Sequence, residues 1–281
     1  MANLKSLAKD TAIYGLSSIA ARFVNYLLVP IQTTKFNAAG GQYGIITNVY
    51  AYVALLIVLL TYGMETTFFR FMSKEGEDPN KVYATTLKMV GTTSVIFMAI
   101  ILLFNQPIAN FLGYADHPEY ITIMYMTVAI DAFAAIPLAY LRCKHRPIKF
   151  AVLKILNISL NIVLNLLYLI ILQGLTLNLF GIYDAHFTLD VVWVFYINLI
   201  CTIITLLLLW KELYGIRYSF DKSTCKRMLS YTFPLLIMGL AGQLNQCASQ
   251  IIFPYVYNGT AEEARTQLGI YGACIKIAII M

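Results

Sequence analysis

The sequence predicts an all-α membrane protein, a bundle of helices that crosses the bilayer several times. Apolar residues make up 59% of the 281 residues and charged residues only 12%, and the mean hydropathy of +0.71 exceeds what a water-soluble core needs. The apolar residues form long segments, and most charged residues lie in the gaps between them. Both observations favour a polytopic bundle without a separate soluble domain, because the gaps are short.

Seven apolar segments are long enough to span a bilayer, since a spanning helix needs roughly 20 apolar residues. They cover about 11–34, 43–69, 83–104, 119–141, 149–172, 190–210 and 228–257. An eighth begins near Leu268 and runs to Met281, and at about 1.5 Å per residue it is shorter than a hydrocarbon core of roughly 30 Å. We therefore expect a truncated chain that is part of a longer protein.

The basic residues alternate between the gaps. Sixteen of the 20 Lys and Arg residues precede the first segment or follow the second, fourth and sixth: Lys5, Lys9, Arg70, Lys74, Lys81, Lys88, Arg142, Lys144, Arg146, Lys149, Lys154, Lys211, Arg217, Lys222, Lys226 and Arg227. The other gaps carry Lys35 and Arg265 among several acids. Because positively charged loops face the cytoplasm, we expect a bacterial inner-membrane protein with a cytoplasmic N-terminus. No basic stripe is interleaved with aromatic residues, so no nucleic-acid partner is expected.

The sequence contains no catalytic, metal-binding or cofactor-binding motif. HExxH, GxSxG and Gly-rich phosphate loops are missing, and the five Cys residues lack CxxC spacing. The three His residues are scattered along the chain. We therefore predict that the protein is not an enzyme and uses neither a metal nor a cofactor.

Charged residues inside the segments are the main candidates for function, because each costs at least about 2.5–3.5 kcal/mol to insert. Arg22 lies near the middle of the first segment, with Asn25 close by, and a guanidinium suits an anionic head group such as phosphate. Asp131 lies at a matching depth in the fourth segment. It either pairs with Arg22 or binds and releases protons, and both interpretations stay open. Lys276 in the eighth segment is a further interior cation.

Two segments carry rows of uncharged polar residues. Asn157, Asn161 and Asn165 recur every four residues, which aligns them on one helical face. Such a row either bonds neighbouring helices, the interpretation we favour, or forms the wall of a hydrophilic cavity. The seventh segment has a polar middle that includes Gln243 and Gln246, and we expect it to line a cavity or to cross another helix closely.

Several stretches resemble bacterial polysaccharide flippases, the exporters of O-antigen and capsule repeat units. Residues 14–23 (YGLSSIAARF), which run on to Leu28-Val29-Pro30 and then to Tyr43-Gly44, resemble the start of this family. Residues 62–70 (YGMETTFFR) resemble its turn into the first cytoplasmic loop. YTFPL at 231–235 and LGIY at 268–271 resemble the starts of its seventh and eighth helices. Lipid II flippases and multidrug exporters of the same superfamily, the multidrug/oligosaccharidyl-lipid/polysaccharide (MOP) exporters, share the architecture but differ in these stretches.

The resemblance implies a MATE-like fold of two six-helix bundles around a cationic cavity that opens alternately to each side. Residues 1–215 would form the first bundle and residues 216–281 the start of the second. The implied task is to move undecaprenyl-pyrophosphate-linked oligosaccharide repeat units from the inner to the outer leaflet, driven by an ion gradient. The implied partners are this lipid-linked substrate, the membrane lipids and other proteins of polysaccharide assembly.

The candidate substrate contacts are Arg22, Lys276, Asn25, Gln243 and Gln246, with Asp131 as an ion-coupling group or structural partner. A cation-coupled drug or metabolite antiporter of the same fold is the main alternative, and it requires an essential Asp131 with dispensable Arg22 and Lys276. An enzyme acting on lipid-linked sugars would need a large outward loop rich in Arg and His, which the sequence lacks. A purely structural membrane subunit is the remaining alternative.

Overall fold

The structure is a computed structural model of the chain and describes residues 28–36, 41–172, 176–179, 183–186, 190–217 and 219–278. Their regular secondary structure is helical apart from one antiparallel hairpin. The helices are α1 (Leu28–Lys35), α2 (Gln42–Thr61), α3 (Met64–Met72), α4 (Pro79–Leu103), α5 (Asn105–Phe111), α6 (Pro118–Cys143), α7 (Pro147–Leu166, continued by a π-helical turn Leu167–Leu172), α8 (Val192–Leu208), α9 (Trp210–Leu213, followed by a 3₁₀ turn Tyr214–Arg217), α10 (Lys222–Val256) and α11 (Ala261–Ala278). The hairpin pairs β1 (Thr176–Leu179) with β2 (Tyr183–His186).

Four helical stretches in the described part of the chain are long and apolar enough to cross a membrane: Gln42–Met72, Pro79–Leu103, Pro118–Cys143 and Pro147–Ile170. They match the second to fifth predicted segments. The sixth segment forms α8, which is apolar but shorter, and the seventh forms α10, which is long but more polar. Most of the first segment lies outside the described residues. Large apolar side chains such as Leu103 and Phe111 are about four-fifths exposed, as expected for a surface that faces lipid.

Of the four apolar clusters among the described residues, the two largest hold most of the helices together. The larger one joins α2, α6 and α8, with Tyr43, Met124 and Phe195 almost completely buried. The second joins α3, α4 and α6, where the Tyr83 and Tyr140 rings stack with their centroids 4.1 Å apart. The central position of α6 in both clusters explains why it is the most buried of the four long spans.

The second predicted segment, 43–69, is not one continuous helix. It breaks at Tyr62 and Gly63, which adopt left-handed backbone angles with φ of 36° and 70°. Helix α2 therefore ends at Thr61. A Cβ atom at Gly63 would lie 2.8 Å from Cβ of Leu235 on α10, so glycine also permits this close contact. The apolar pattern continues across the break, which is why the sequence alone predicts a single helix.

Helices α10 and α11, which correspond to the seventh and eighth predicted segments, begin earlier than those segments because polar residues cap them. At the start of α10 the Asp221 carboxylate accepts hydrogen bonds from the Thr224 hydroxyl at 2.6 Å and the Ser223 amide at 2.9 Å, and these bonds lower the pKa of Asp221. At the start of α11, Thr260 and Glu263 bond each other's backbone amides in a capping box, at 3.2 and 3.0 Å. The first turn of each helix is therefore stabilised without apolar residues.

The loops collect at two ends of the bundle, as the charge alternation predicts. At one end, called here the basic end, Glu65 of α3 pairs with Arg142, and the loop residue Glu77 pairs with Arg227. At the opposite end, Arg265 of α11 donates a hydrogen bond of 2.8 Å to the carbonyl of Gly113. Which end faces the cytoplasm stays a prediction.

The chain between α8 and α10 is anchored to the first helices at the basic end. The Glu212 carboxylate accepts hydrogen bonds from Lys149 Nζ at 2.7 and 2.8 Å, and its backbone carbonyl accepts one from the Tyr83 hydroxyl at 2.8 Å. The backbone amide of Asp221 donates to the Thr85 hydroxyl at 3.1 Å. These contacts fix where α10 starts relative to α4.

Helices α2 and α11 cross at very short distance near the opposite end. A Cβ atom added to Gly44 would overlap the carbonyl of Arg265, and one added to Gly269 would lie 3.0 Å from the backbone nitrogen of Gly44. Glycine is therefore required on both sides, because neither backbone can retreat without moving its helix.

The Gly44→Ala substitution is expected to lower the free energy of unfolding by about 1–3 kcal/mol, because the new methyl group forces α2 and α11 apart. Gly242→Ala is the matched control, since no atom lies within 4 Å of a Cβ at Gly242 and alanine favours a helix. Thermal unfolding of both variants in detergent measures the difference. Equal melting temperatures would contradict the close crossing.

Candidate functional site

A cavity of about 450 Å³ lies between α1, α2, α7, α8, α10 and α11. Its apolar lining includes Leu28 and Val194. Its polar lining consists of Gln32, Thr47, Tyr50, Asn157, Asn161, Asn165, Asn198, Gln250 and Lys276. Among the described residues that line it, Lys276 carries the only formal charge. A cavity of this size is in the range of small-ligand sites.

The asparagine row of α7 forms one wall of this cavity and also bonds α7 to α8. Asn157 Nδ2 donates to the Thr205 hydroxyl at 2.7 Å, and Asn161 Nδ2 donates to Asn198 Oδ1 at 3.3 Å. Both interpretations of the four-residue spacing therefore apply. The row reaches α8 on one side, and its remaining polar surface faces the cavity.

Two further bonds extend this polar network. Asn198 Nδ2 donates to the Tyr50 hydroxyl at 3.2 Å, which links α8 to α2. Asn165 is 1% exposed and donates to the Asn161 carbonyl at 2.8 Å, whereas its Oδ1 atom accepts no hydrogen bond in the described part of the chain. A buried acceptor without a donor is costly.

Lys276 reaches the cavity from the last turn of α11. Its Nζ atom donates a hydrogen bond of 3.0 Å to the Tyr43 hydroxyl and lies 5.2 Å from the centroid of the Tyr43 ring. Tyr43 is completely buried, so this contact holds the ammonium group in a defined place. An ammonium group has three N–H donors, and an anion in the cavity would be within reach of its charge.

Helix α10 is held against α2 by contacts beside the cavity. Asn48 Nδ2 donates to the backbone carbonyl of Gln250 at 3.0 Å, and Asn48 Oδ1 accepts a bond from the Tyr114 hydroxyl at 2.9 Å. Gln250 lines the cavity, whereas Gln246 is exposed and Gln243 half-buried, and neither of these two lines it. The polar middle of the seventh segment does meet a cavity, but through Gln250.

Asp131 lies outside the lining of this cavity. Its carboxylate accepts a hydrogen bond of 3.1 Å from the Thr202 hydroxyl on α8, and the residue is exposed. Arg22 and Asn25 lie outside the described residues, so the Arg22–Asp131 pair stays a prediction. In the described part of the chain, no group of three or more His, Cys, Asp or Glu side chains is placed to hold a metal ion.

Sequence reasoning misses two tyrosines of the site, Tyr43 and Tyr50. The chain has 20 tyrosines, and in a membrane protein such residues usually mark the interface with water or pack between helices. No local signal separates these two from the rest. Their roles follow only from the neighbours that face them, Lys276 and Asn198.

Solved transporter structures share this fold. The MATE multidrug transporter DinF-BH is 15% identical, covering 99% of this chain and 61% of its own with a TM-score of 0.73. An inward-facing multidrug resistance MATE transporter of the MOP superfamily is 16% identical, and the match covers 92% of this chain and 58% of the transporter with a TM-score of 0.66. A MOP superfamily transporter from Pyrococcus furiosus is 16% identical, and the match covers 96% of this chain and 62% of the transporter with a TM-score of 0.56. At such identities the likeness shows the fold alone.

The chain spans about three-fifths of the length of these transporters. A search of curated proteins gives no significant match. The sequence model of the family described as polysaccharide biosynthesis protein matches residues 7–281. The predicted fold class is thus confirmed: the chain is a predominantly helical, multi-pass membrane protein with the fold of MATE transporters. The chain belongs to the polysaccharide biosynthesis protein family.

Proposed function

We propose that this chain is part of a flippase that moves undecaprenyl-pyrophosphate-linked oligosaccharide repeat units from the inner to the outer leaflet of the bacterial inner membrane. Residues 1–215 form the first bundle of this transporter and residues 216–281 the start of the second, with the N-terminus in the cytoplasm. The family match over residues 7–281 supports a role in polysaccharide biosynthesis. The clustering of basic loops at one end supports the orientation.

The chemistry of the cavity carries this proposal. Its described lining holds one cation, Lys276, and no carboxylate, among amides and hydroxyl groups. A cation attracts the pyrophosphate, and amides form hydrogen bonds with sugar hydroxyls. A cavity for a cationic drug would be expected to present a carboxylate instead.

Further contacts to the substrate come from neighbouring positions. Arg22 and Asn25 precede α1 by six and three residues, and α1 contributes Gln32 to the cavity. Gln246 and Gln243 precede Gln250 on α10 by one and two helical turns. We keep all four as candidate contacts, with Arg22 as a second cation for the pyrophosphate.

Transport follows from rocking of two helix bundles about the cavity, so that it opens first to one leaflet and then to the other. An ion gradient supplies the energy, because the sequence contains no nucleotide-binding motif. The hydrocarbon tail stays in the bilayer among the membrane lipids. Other proteins of polysaccharide assembly supply the substrate and receive the product.

A cation-coupled drug or metabolite antiporter is the second candidate. Two observations favour it: the fold is shared with multidrug transporters, and Asp131 lies near the middle of α6 with a hydrogen bond to Thr202. A carboxylate at this depth binds and releases protons in ion-coupled transporters. This candidate requires an essential Asp131, whereas Arg22 and Lys276 would be dispensable.

Complementation of a flippase-deficient strain tests the proposal. The complete gene encoding this chain is expected to restore surface polysaccharide, and Arg22→Ala to reduce it by about 10–100-fold, because a charge-assisted contact to phosphate is lost. Accumulated lipid-linked repeat is measured alongside, at matched expression. Arg22→Lys retains the charge and serves as the control, with partial activity expected.

Normal complementation by Arg22→Ala, together with loss of activity in Asp131→Asn, would argue for the antiporter. Failure of the wild type in every host despite normal membrane insertion would contradict the flippase proposal. Both results are read at the same level of protein in the membrane, so that a folding defect is recognised.

A further inference from the structure

A second cavity, of about 670 Å³, lies on the other face of α2, between α4 and α10 near the basic end. Leu59 lines it from α2, and it follows Tyr50 of the polar cavity by nine residues, or two and a half helical turns. The two cavities therefore lie on opposite faces of α2. Leu229 and Phe233 of α10 line the second cavity and are 46% and 64% exposed. We call this second cavity the lateral groove.

The walls of the lateral groove are mostly apolar, although Tyr62, Lys88, Thr92, Thr93, Cys225 and Thr232 also line it. The Thr93 hydroxyl already donates to the backbone of its own helix, at 3.0 Å to the Val90 carbonyl, and the Thr232 hydroxyl shares a hydrogen bond of 2.6 Å with Thr67. These hydroxyls are thus satisfied within the protein. A polar ligand would find few partners along the groove, whereas an apolar chain would lose nothing.

One cation lines the lateral groove. Lys88 is half-buried in the lining, on the part of α4 that lies toward the basic end. Because α4 belongs to a candidate membrane span, we expect the groove to lie within the bilayer. Its chemistry therefore matches an amphiphile with an anionic head near Lys88 and a hydrocarbon chain along Leu229 and Phe233.

We propose that the lateral groove is a docking site for the polyprenyl chain of the lipid-linked substrate, with its pyrophosphate beside Lys88, before the head group enters the polar cavity. This inference rests on the proposed function. The substrate starts in the leaflet at the basic end, where the groove lies. Its walls come from both α4 and α10, so a bound polyprenyl chain contacts the proposed first bundle, through α4, and the start of the second bundle, through α10.

Photolabelling tests this site. The protein is reconstituted in vesicles of phosphatidylethanolamine and phosphatidylglycerol with a polyprenyl pyrophosphate that carries a diazirine on its isoprenoid chain. Labelled peptides are expected to contain residues 88–93 or 225–236. Thr92→Trp, which fills the groove, is expected to reduce this labelling by about tenfold. Val95→Trp is the control, because Val95 is 65% exposed on the same helix and does not line the groove.

A second pair of variants tests the charge. Lys88→Gln is expected to weaken labelling by about fivefold or more, whereas Lys81→Gln, an exposed lysine of the same helix, should have little effect. Leu229→Trp blocks the groove from α10 and replaces Thr92→Trp if that variant folds poorly, as judged by its melting temperature.

Excess unlabelled polyprenyl pyrophosphate should compete, and phosphatidylglycerol at the same excess should not. Equal competition by phosphatidylglycerol would overturn the proposal and identify a general phospholipid surface. Labelling confined to other peptides, with normal complementation, would overturn it while the flippase function stands. If the photoreactive polyprenyl pyrophosphate labels no part of the protein and complementation also fails, the proposed function is wrong as well.

Discussion

Under the proposed flippase function, replacing Lys276 with glutamine is expected to reduce transport of the lipid-linked repeat by about 10–100-fold, because the described cavity lining then has no cation for the pyrophosphate. Glutamine keeps a polar side chain that can still donate to the Tyr43 hydroxyl, so the packing of α11 changes little. Surface polysaccharide and accumulated lipid-linked repeat, compared at matched expression, measure the effect.

Three controls separate the charge from its surroundings. Lys226→Gln removes an exposed lysine of α10 and should leave transport unchanged. Lys276→Arg retains the charge and should keep part of the activity. Tyr43→Phe removes the hydroxyl that positions the ammonium and should have a smaller effect than Lys276→Gln. Transport at the wild-type rate in Lys276→Gln would contradict the role of this residue.

Replacing Lys149 with methionine is expected to lower the free energy of unfolding by about 2–3 kcal/mol. The Glu212 side chain is 5% exposed and accepts both of its ion-pair hydrogen bonds from Lys149. Without the lysine, a buried carboxylate loses its compensating charge. The effect stays below that of a fully buried pair because the lysine is one-third exposed. Unfolding in detergent, followed by circular dichroism, gives the measurement.

The double variant Lys149→Met with Glu212→Gln should recover part of this loss, since a neutral amide is less costly to bury than an unpaired carboxylate. Lys154→Met, an exposed lysine on the same helix, is the matched control and should change stability by about 0.5 kcal/mol or less. Equal losses in Lys149→Met and Lys154→Met would show that the buried pair does not stabilise the junction of α9 with α7.

Helix positions, and which loops lie at the same end of the bundle, are properties that the sequence predicts well here. Hydropathy is a local quantity, so Pro118–Cys143 and Pro147–Leu166 are recognised without knowledge of any neighbour. The break at Tyr62 and Gly63 is missed because Leu235, which packs against Gly63, lies more than 170 residues away in sequence. The caps at Asp221 and Thr260 do have sequence signals, but a search for apolar segments passes over them.

The candidate site shows the same division between local and long-range information. Residue spacing alone puts Asn157, Asn161 and Asn165 on one face, and composition alone indicates that Lys276 avoids lipid. Neither indicates that Lys276 meets Tyr43, because that contact depends on how closely α2 and α11 approach at their glycines.

The sequence therefore establishes the membrane-spanning architecture and the grouping of its loops, since both depend on local composition and spacing. Helix rotation and crossing distance are set by long-range packing, and they select Gln250 rather than Gln243 or Gln246 for the polar cavity. The same packing leaves the Asn165 oxygen without a donor in the described part of the chain and opens the lateral groove between α4 and α10. Those features arise only when distant segments meet, because a side chain's environment depends on the helices beside it.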